Sequence, residues 1–119
     1  MPSPESRLRV RKQDGVTIVE FVDRNILDEA NIQQIGEEII RLVDDEPQPK
    51  ILISFSNVDH LSSAALGALI TINNRVKEKD GQLRLADIND QILEVFHITR
   101  LDRLFQIHGD SVEAVDSFN

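Results

Sequence analysis

The chain has 119 residues, 40% hydrophobic and 29% charged, a composition ordinary for one globular domain with a core of its own. Its net charge of −8, from 13 Lys and Arg against 21 Asp and Glu, argues against nucleic acid and anionic lipid, which both attract a basic face. The absence of cysteine excludes disulfides, thiolate catalysis and the usual structural zinc sites.

Residues 1–6, "MPSPES", are rich in Pro and Ser and read as a flexible tail ahead of a domain over 7–119. They carry no apolar h-region, and no apolar run approaches the roughly 20 residues a membrane span needs. A cytoplasmic protein without membrane insertion is expected. In "RLRVRKQDGVTIVEFV", Leu8 and Val10 alternate with arginines, the period of a half-buried strand. Asp14-Gly15 is a hairpin turn, and Val16 to Val22 is apolar enough for an inner strand. Ile32, Ile35, Ile39, Leu42 and Val43 then fall on one face of a helix, with Asp28 and Glu29 in its first turn. "DDEPQP" stops that helix, and its carboxylates Asp44, Asp45 and Glu46 read as a solvated loop.

"KILISFS" reads as a central parallel strand. A second helix follows, with Leu66, Leu69, Ile70, Asn73 and Val76 at helical spacing and Gly81 as the residue just past its end. "QLRLAD" alternates as a strand. "NDQILEVFHI" is a helix capped by Asn89 or Asp90, with Ile92, Val95 and Phe96 inward. "LFQIH" is a last strand, and "DSVEAVDSF" a last helix capped by Asp110 or Ser111. The order ββαβαβαβα predicts an α/β fold with a mixed, mostly parallel sheet and right-handed crossovers.

Few residues are arranged for chemistry. His60, His97 and His108 have no partner at metal-ligand spacing, so no metal site is expected, and His97 reads as a packed or boundary residue. The five glycines match no phosphate-binding loop, so no nucleotide or other cofactor is expected. The only aromatics are five phenylalanines, a poor platform for stacking bases or sugars. His60 precedes Ser62 and Ser63 closely enough to activate a hydroxyl, but no G-x-S-x-G elbow accompanies them, and a hydrolase is disfavoured.

The two serines open the second helix in "HLSSAALGALI". One reading is an N-cap, a serine oxygen accepting a free backbone N–H, worth roughly 1 kcal/mol. The other is a modification site. A phosphate at a helix N-terminus meets unpaired N–H groups and the positive dipole end, yet adds about −1.5 to −2 of charge to the surface. The residues alone leave both open.

Across residues 7–118 the sequence resembles the STAS domain family, in particular the bacterial anti-sigma factor antagonists. The motifs that carry the resemblance are "HLSSAALGALI", the Lys-rich helix end before Gly81, "ITRLDRLFQIH", and "NILD" at residues 25–28. The resemblance implies a single STAS-like domain with helices mainly on one face of the sheet. It implies phosphorylation at Ser63, with Ser62 the second choice, by an anti-sigma factor that is itself a serine kinase. Ser62 stands where the family usually has Asp, and Ala64 and Ala65 where it often has Ser or Thr and then Gly; Leu66 and Gly67 match. Asp28, Ser62, Ser63, Ala64 and Gly67 would form the partner-binding face. A PP2C-like phosphatase would reverse the modification, and the chain would be a regulated binding module rather than an enzyme. The alternative is a non-switching STAS subunit of another assembly, such as a lipid-transport ABC system.

Overall fold

The computed structural model describes residues 8–26 and 29–118; the tail expected over residues 1–6 and the candidate contact residue Asp28 lie outside the described residues. Strands β1 (Leu8–Gln13) and β2 (Val16–Phe21) pair antiparallel, from Leu8 opposite Phe21 to Gln13 opposite Val16. Both turn residues have positive φ, 53° at Asp14 and 80° at Gly15, the geometry whose twist matches a two-residue hairpin. Val10 departs from expectation and is 46% exposed. It sits on an edge strand, and the core covers that strand only at Leu8.

Beyond the hairpin come β3 (Asn25–Ile26), α1 (Glu29–Asp44), β4 (Lys50–Ser54), β5 (His60–Leu61), α2 (Ser63–Glu78) and β6 (Gln82–Ala86). The chain ends with α3 (Asp90–Ile98), a 3-10 turn at Leu101–Arg103, β7 (Gln106–His108) and α4 (Ser111–Asp116). The main sheet runs β1-β2-β4-β6-β7, with every pair after the hairpin parallel. The predicted order of long elements is therefore the order found. Two additions are the short strands β3 and β5, which pair in parallel as a sheet of their own, Asn25 opposite His60. The last strand is shorter than expected, because Leu104 and Phe105 belong to the turn before it.

β4 is the middle strand, and its apolar run follows from cover on both faces. Ile51 and Ile53 point into the larger core, where Ile39 and Val43 of α1, Leu69 and Ile72 of α2 and Phe96 of α3 meet them. Leu52 points the other way, into a smaller core closed by Ala114 and Val115 of α4. Arg84 of β6 is buried on the α4 side. Its guanidinium donates to the Ser117 hydroxyl, the Gln82 side chain and the Leu83 carbonyl, and lies 4.9 Å from the centre of the Phe118 ring. Burial lowers its pKa. On α3 only Ile92 and Phe96 are buried; Val95 is 43% exposed, because the core meets a narrower stripe of that helix than its apolar residues occupy.

The acidic segment at the end of α1 is more than a solvated loop: Asp44 is the last residue of the helix itself. The Asp44 carboxylate accepts from Arg75 Nε at 2.7 Å, and Glu46 from Lys12 Nζ at 2.5 Å. These bonds hold both carboxyls below their ordinary range, so their stabilising effect is present at neutral pH and is lost as acid titrates them below about pH 4. Both pairs are exposed, and salt screens them.

The end of α2 corrects the role of Gly81. Lys79 is the C-cap, and Asp80, with φ 55°, occupies the left-handed position beyond it. Asp80 N–H donates to Lys77 O at 3.0 Å and Gly81 N–H to Val76 O at 2.9 Å, a Schellman pair. Gly81 is required for a different reason: a Cβ there would lie 2.4 Å from the Pro49 carbonyl oxygen. Gly81→Ala should therefore lower stability by about 1–3 kcal/mol, whereas Asp80→Gly should be neutral or stabilising, as read from urea unfolding midpoints.

Candidate functional site

The site begins where β4 leaves the sheet. Phe55 is buried and its N–H donates to Ala86 O at 2.9 Å, so the chain stays anchored one residue past the strand. Val58 is also buried, and its N–H returns to Phe55 O at 3.0 Å, forming a tight bend. The Arg24 carbonyl then accepts from Asp59 N–H at 2.7 Å and His60 N–H at 3.3 Å, while Arg24 Nε meets the Asp59 carboxylate at 3.0 Å. β3 and β5 continue that alignment and deliver the chain to α2 in a fixed direction.

At the helix start the two serines divide the available roles. Ser62 is the N-cap, with extended backbone at φ −87° and ψ 168°, and its Oγ accepts from Ala65 N–H at 3.2 Å. Its carbonyl accepts from Leu66 N–H at 3.2 Å, the first bond of the helix ladder. Ser63 is the first helical residue and is exposed. Ala65, Leu66 and Leu69 turn into the core, so Ala64 and Gly67 emerge beside Ser63 on the outer face. That face carries small side chains next to a hydroxyl, and it leaves room for a second surface to approach.

The electrostatics of this helix start differ from those of its neighbours. The first turn of α3 holds Asp90 and that of α4 holds Glu113, whereas the first turn of α2 has no acidic residue. The positive end of the sixteen-residue dipole is therefore uncompensated by a side chain of its own first turn.

The three histidines do not assemble. His60 is exposed on β5, and among the described residues no hydrogen bond joins its ring to Ser62 or Ser63. His97 is no packed residue: its side chain is 82% exposed, one step round α3 from the buried Phe96, and its Nδ1 lies 3.0 Å from the Asp102 carboxylate. His108, on β7, faces Glu113 at 3.5 Å. Among the described residues no group of three or more His, Asp or Glu is arranged to hold a metal ion, and no helix is long and apolar enough to cross a membrane.

One residue of the site has a role that its sequence position does not announce. Asn89 caps α3 as expected, its Oδ1 accepting from Ile92 N–H at 2.9 Å. Its Nδ2 also donates to Val58 O at 3.1 Å and Asp59 O at 3.3 Å, in the segment that leads to the serines. Those partners lie 30 and 31 residues earlier, and no local pattern signals such a pairing.

Comparison with known proteins adds the family. A model of the STAS domain matches residues 7–114, so the chain belongs to the STAS domain family. Over 112 residues it is 23% identical to BtrV of Bordetella bronchiseptica, whose name proposes an anti-sigma factor antagonist, with 94% of each chain covered. The fold is similar to an anti-sigma-factor antagonist (STAS) domain protein from Planctomyces limnophilus, at TM-score 0.83 and 23% identity, over 90% of this chain and 93% of that one. It is also similar to the anti-sigma factor antagonist SpoIIAA in its unphosphorylated form, at TM-score 0.69 and 14% identity, over 92% of this chain and 94% of that one. The Bacillus SpoIIAA in its phosphorylated form gives TM-score 0.68 at 13% identity, over 92% and 96%.

The division between the serines has a direct test in stability. Ser62→Ala should cost about 1 kcal/mol, through loss of the cap. Ser63→Ala should stay within about 0.5 kcal/mol of the parent, as an exposed substitution outside the cap does. Equilibrium urea unfolding of the two variants measures both.

Proposed function

We propose that this chain is an anti-sigma factor antagonist, a binding module switched off by phosphorylation of Ser63, and not an enzyme. Unmodified, its domain over residues 7–119 docks on an anti-sigma factor through the start of α2, with Ser62, Ser63, Ala64 and Gly67 in the contact, and with Asp28 as a further contact residue by the family resemblance. Docking frees a sigma factor for transcription. The same partner, a serine kinase, transfers the γ-phosphoryl group of ATP to Ser63 Oγ, releasing ADP and the hydroxyl proton. A PP2C-like phosphatase hydrolyses the phosphate and restores the antagonist.

The observation that carries this reading is the exposed Ser63 beside a Ser62 that holds the cap. A kinase can reach such a hydroxyl without opening the helix. The dipole end, with no acidic residue in its own first turn, favours the added anion, so the cost falls on the docked partner and not on the fold. The relatives named as anti-sigma factor antagonists support the partner class. The fold neighbour SpoIIAA, solved in an unphosphorylated and a phosphorylated form, supports phosphorylation as the modification.

The test is to capture partners on the wild-type chain, add ATP with magnesium, and record release together with the mass of the Ser63 peptide. A gain of about 80 Da, one phosphate, on Ser63 with release of the partner is the expected result. Ser63→Asp should weaken capture at least tenfold, and Ser63→Ala should bind but not release. If Ser63→Asp binds as the parent does and ATP changes nothing, the chain is a static docking subunit and the switch is wrong. A phosphate found on Ser62 instead would move the site by one residue.

A further inference from the structure

We infer that Asn89 is the positioning residue of the segment that presents Ser63, and that it ties the starts of α2 and α3 into one unit. Its importance for docking rests on the function proposed above; its hold on the segment does not.

Between β4 and β5 the chain lies outside the main sheet, and its backbone groups need partners that a ladder does not supply. They find them on two sides. On one side the Arg24 carbonyl accepts from the N–H groups of Asp59 and His60. On the other the Asn89 amide donates to the carbonyls of Val58, at 3.1 Å, and Asp59, at 3.3 Å. Asp59 is thus gripped from both sides, by its N–H and by its carbonyl. Ser62 and Ser63 follow three and four residues later.

Residue chemistry makes Asn89 hard to replace. The side chain accepts from Ile92 N–H through Oδ1 while Nδ2 donates twice, and this pattern fixes which way the amide faces. Aspartate keeps the acceptor and has no donor. Serine keeps a cap and has a single hydroxyl. Both variants preserve the N-cap of α3 and remove the strap to Val58 and Asp59. Without the strap, the segment must be ordered when a partner docks, and that cost appears as weaker binding.

The experiment uses the full chain with Asn89→Ser and Asn89→Asp, and Asp110→Ala as a control that removes the cap of α4 instead. Amide exchange of residues 57–63 should rise about tenfold in both Asn89 variants, with β4 still protected, and should match the parent in Asp110→Ala. Unchanged exchange in both Asn89 variants overturns the inference. With the kinase partner captured as above, Asn89→Ser should raise KM for Ser63 several-fold at unchanged kcat. Equal kinetics for Asn89→Ser and the parent would also overturn it. A parent chain that is never phosphorylated defeats the proposed function alone, because the exchange measurement still decides the role of Asn89.

Discussion

The hydrogen bond from Ala65 N–H to the Ser62 hydroxyl is the interaction on which the site depends. A helix start leaves backbone donors open, and the residue that answers them is committed to a rotamer and a direction. Because Ser62 makes that commitment, its neighbour does not have to. The helical turn then carries Ser63 about 100° round from Ser62, to the side away from Ala65 and Leu66. Had the roles been reversed, the hydroxyl available for chemistry would be the one holding the helix together.

The scaffold behind this arrangement is rigid for reasons that reach back to composition. A strand as apolar as β4 is stable only between two layers, and the fold supplies α1, α2 and α3 on one face and α4 on the other. The strand therefore sits at the centre of the sheet, and the segment leaving it inherits that anchorage through Phe55 and Val58. Hydrogen bonds to Arg24 and Asn89 carry the constraint a few residues further, to the edge of α2. Geometry at the surface is thus set by packing in the interior.

What could be read from the sequence was what depends on near neighbours. The Asp14-Gly15 turn, the stripe of Ile32, Ile35, Ile39 and Val43, and the Asn89 and Asp110 caps are all local, and all are present. The departures arise where burial depends on what lies opposite. Val10, Val95 and His97 have the right spacing to be covered but no layer over them. β3 and β5 are two residues each, too short for any period to show, and exist only because they pair with each other. Gly81 was legible as a residue near a helix end, yet its need for a missing side chain comes from Pro49, far back in the chain. Of the candidate site, the pair Ser62 and Ser63 was visible as a helix start, but which of them caps is a matter of coordinates. The straps from Arg24 and Asn89 were not visible at all, since each joins segments about 30 residues or more apart.

The far end of α2 has a consequence for its near end. Lys79 Nζ donates to the carbonyls of Val43 at 3.2 Å and Asp44 at 2.8 Å, the trailing groups of α1, and Arg75 adds its bond to Asp44. The two helices are bolted together at their tails, like a pair of oars sharing one lock. Sliding or rotation of α2 against α1 is resisted at that end, so the charge proposed at the leading tip would speak to a visiting protein through the field and shape of the tip itself.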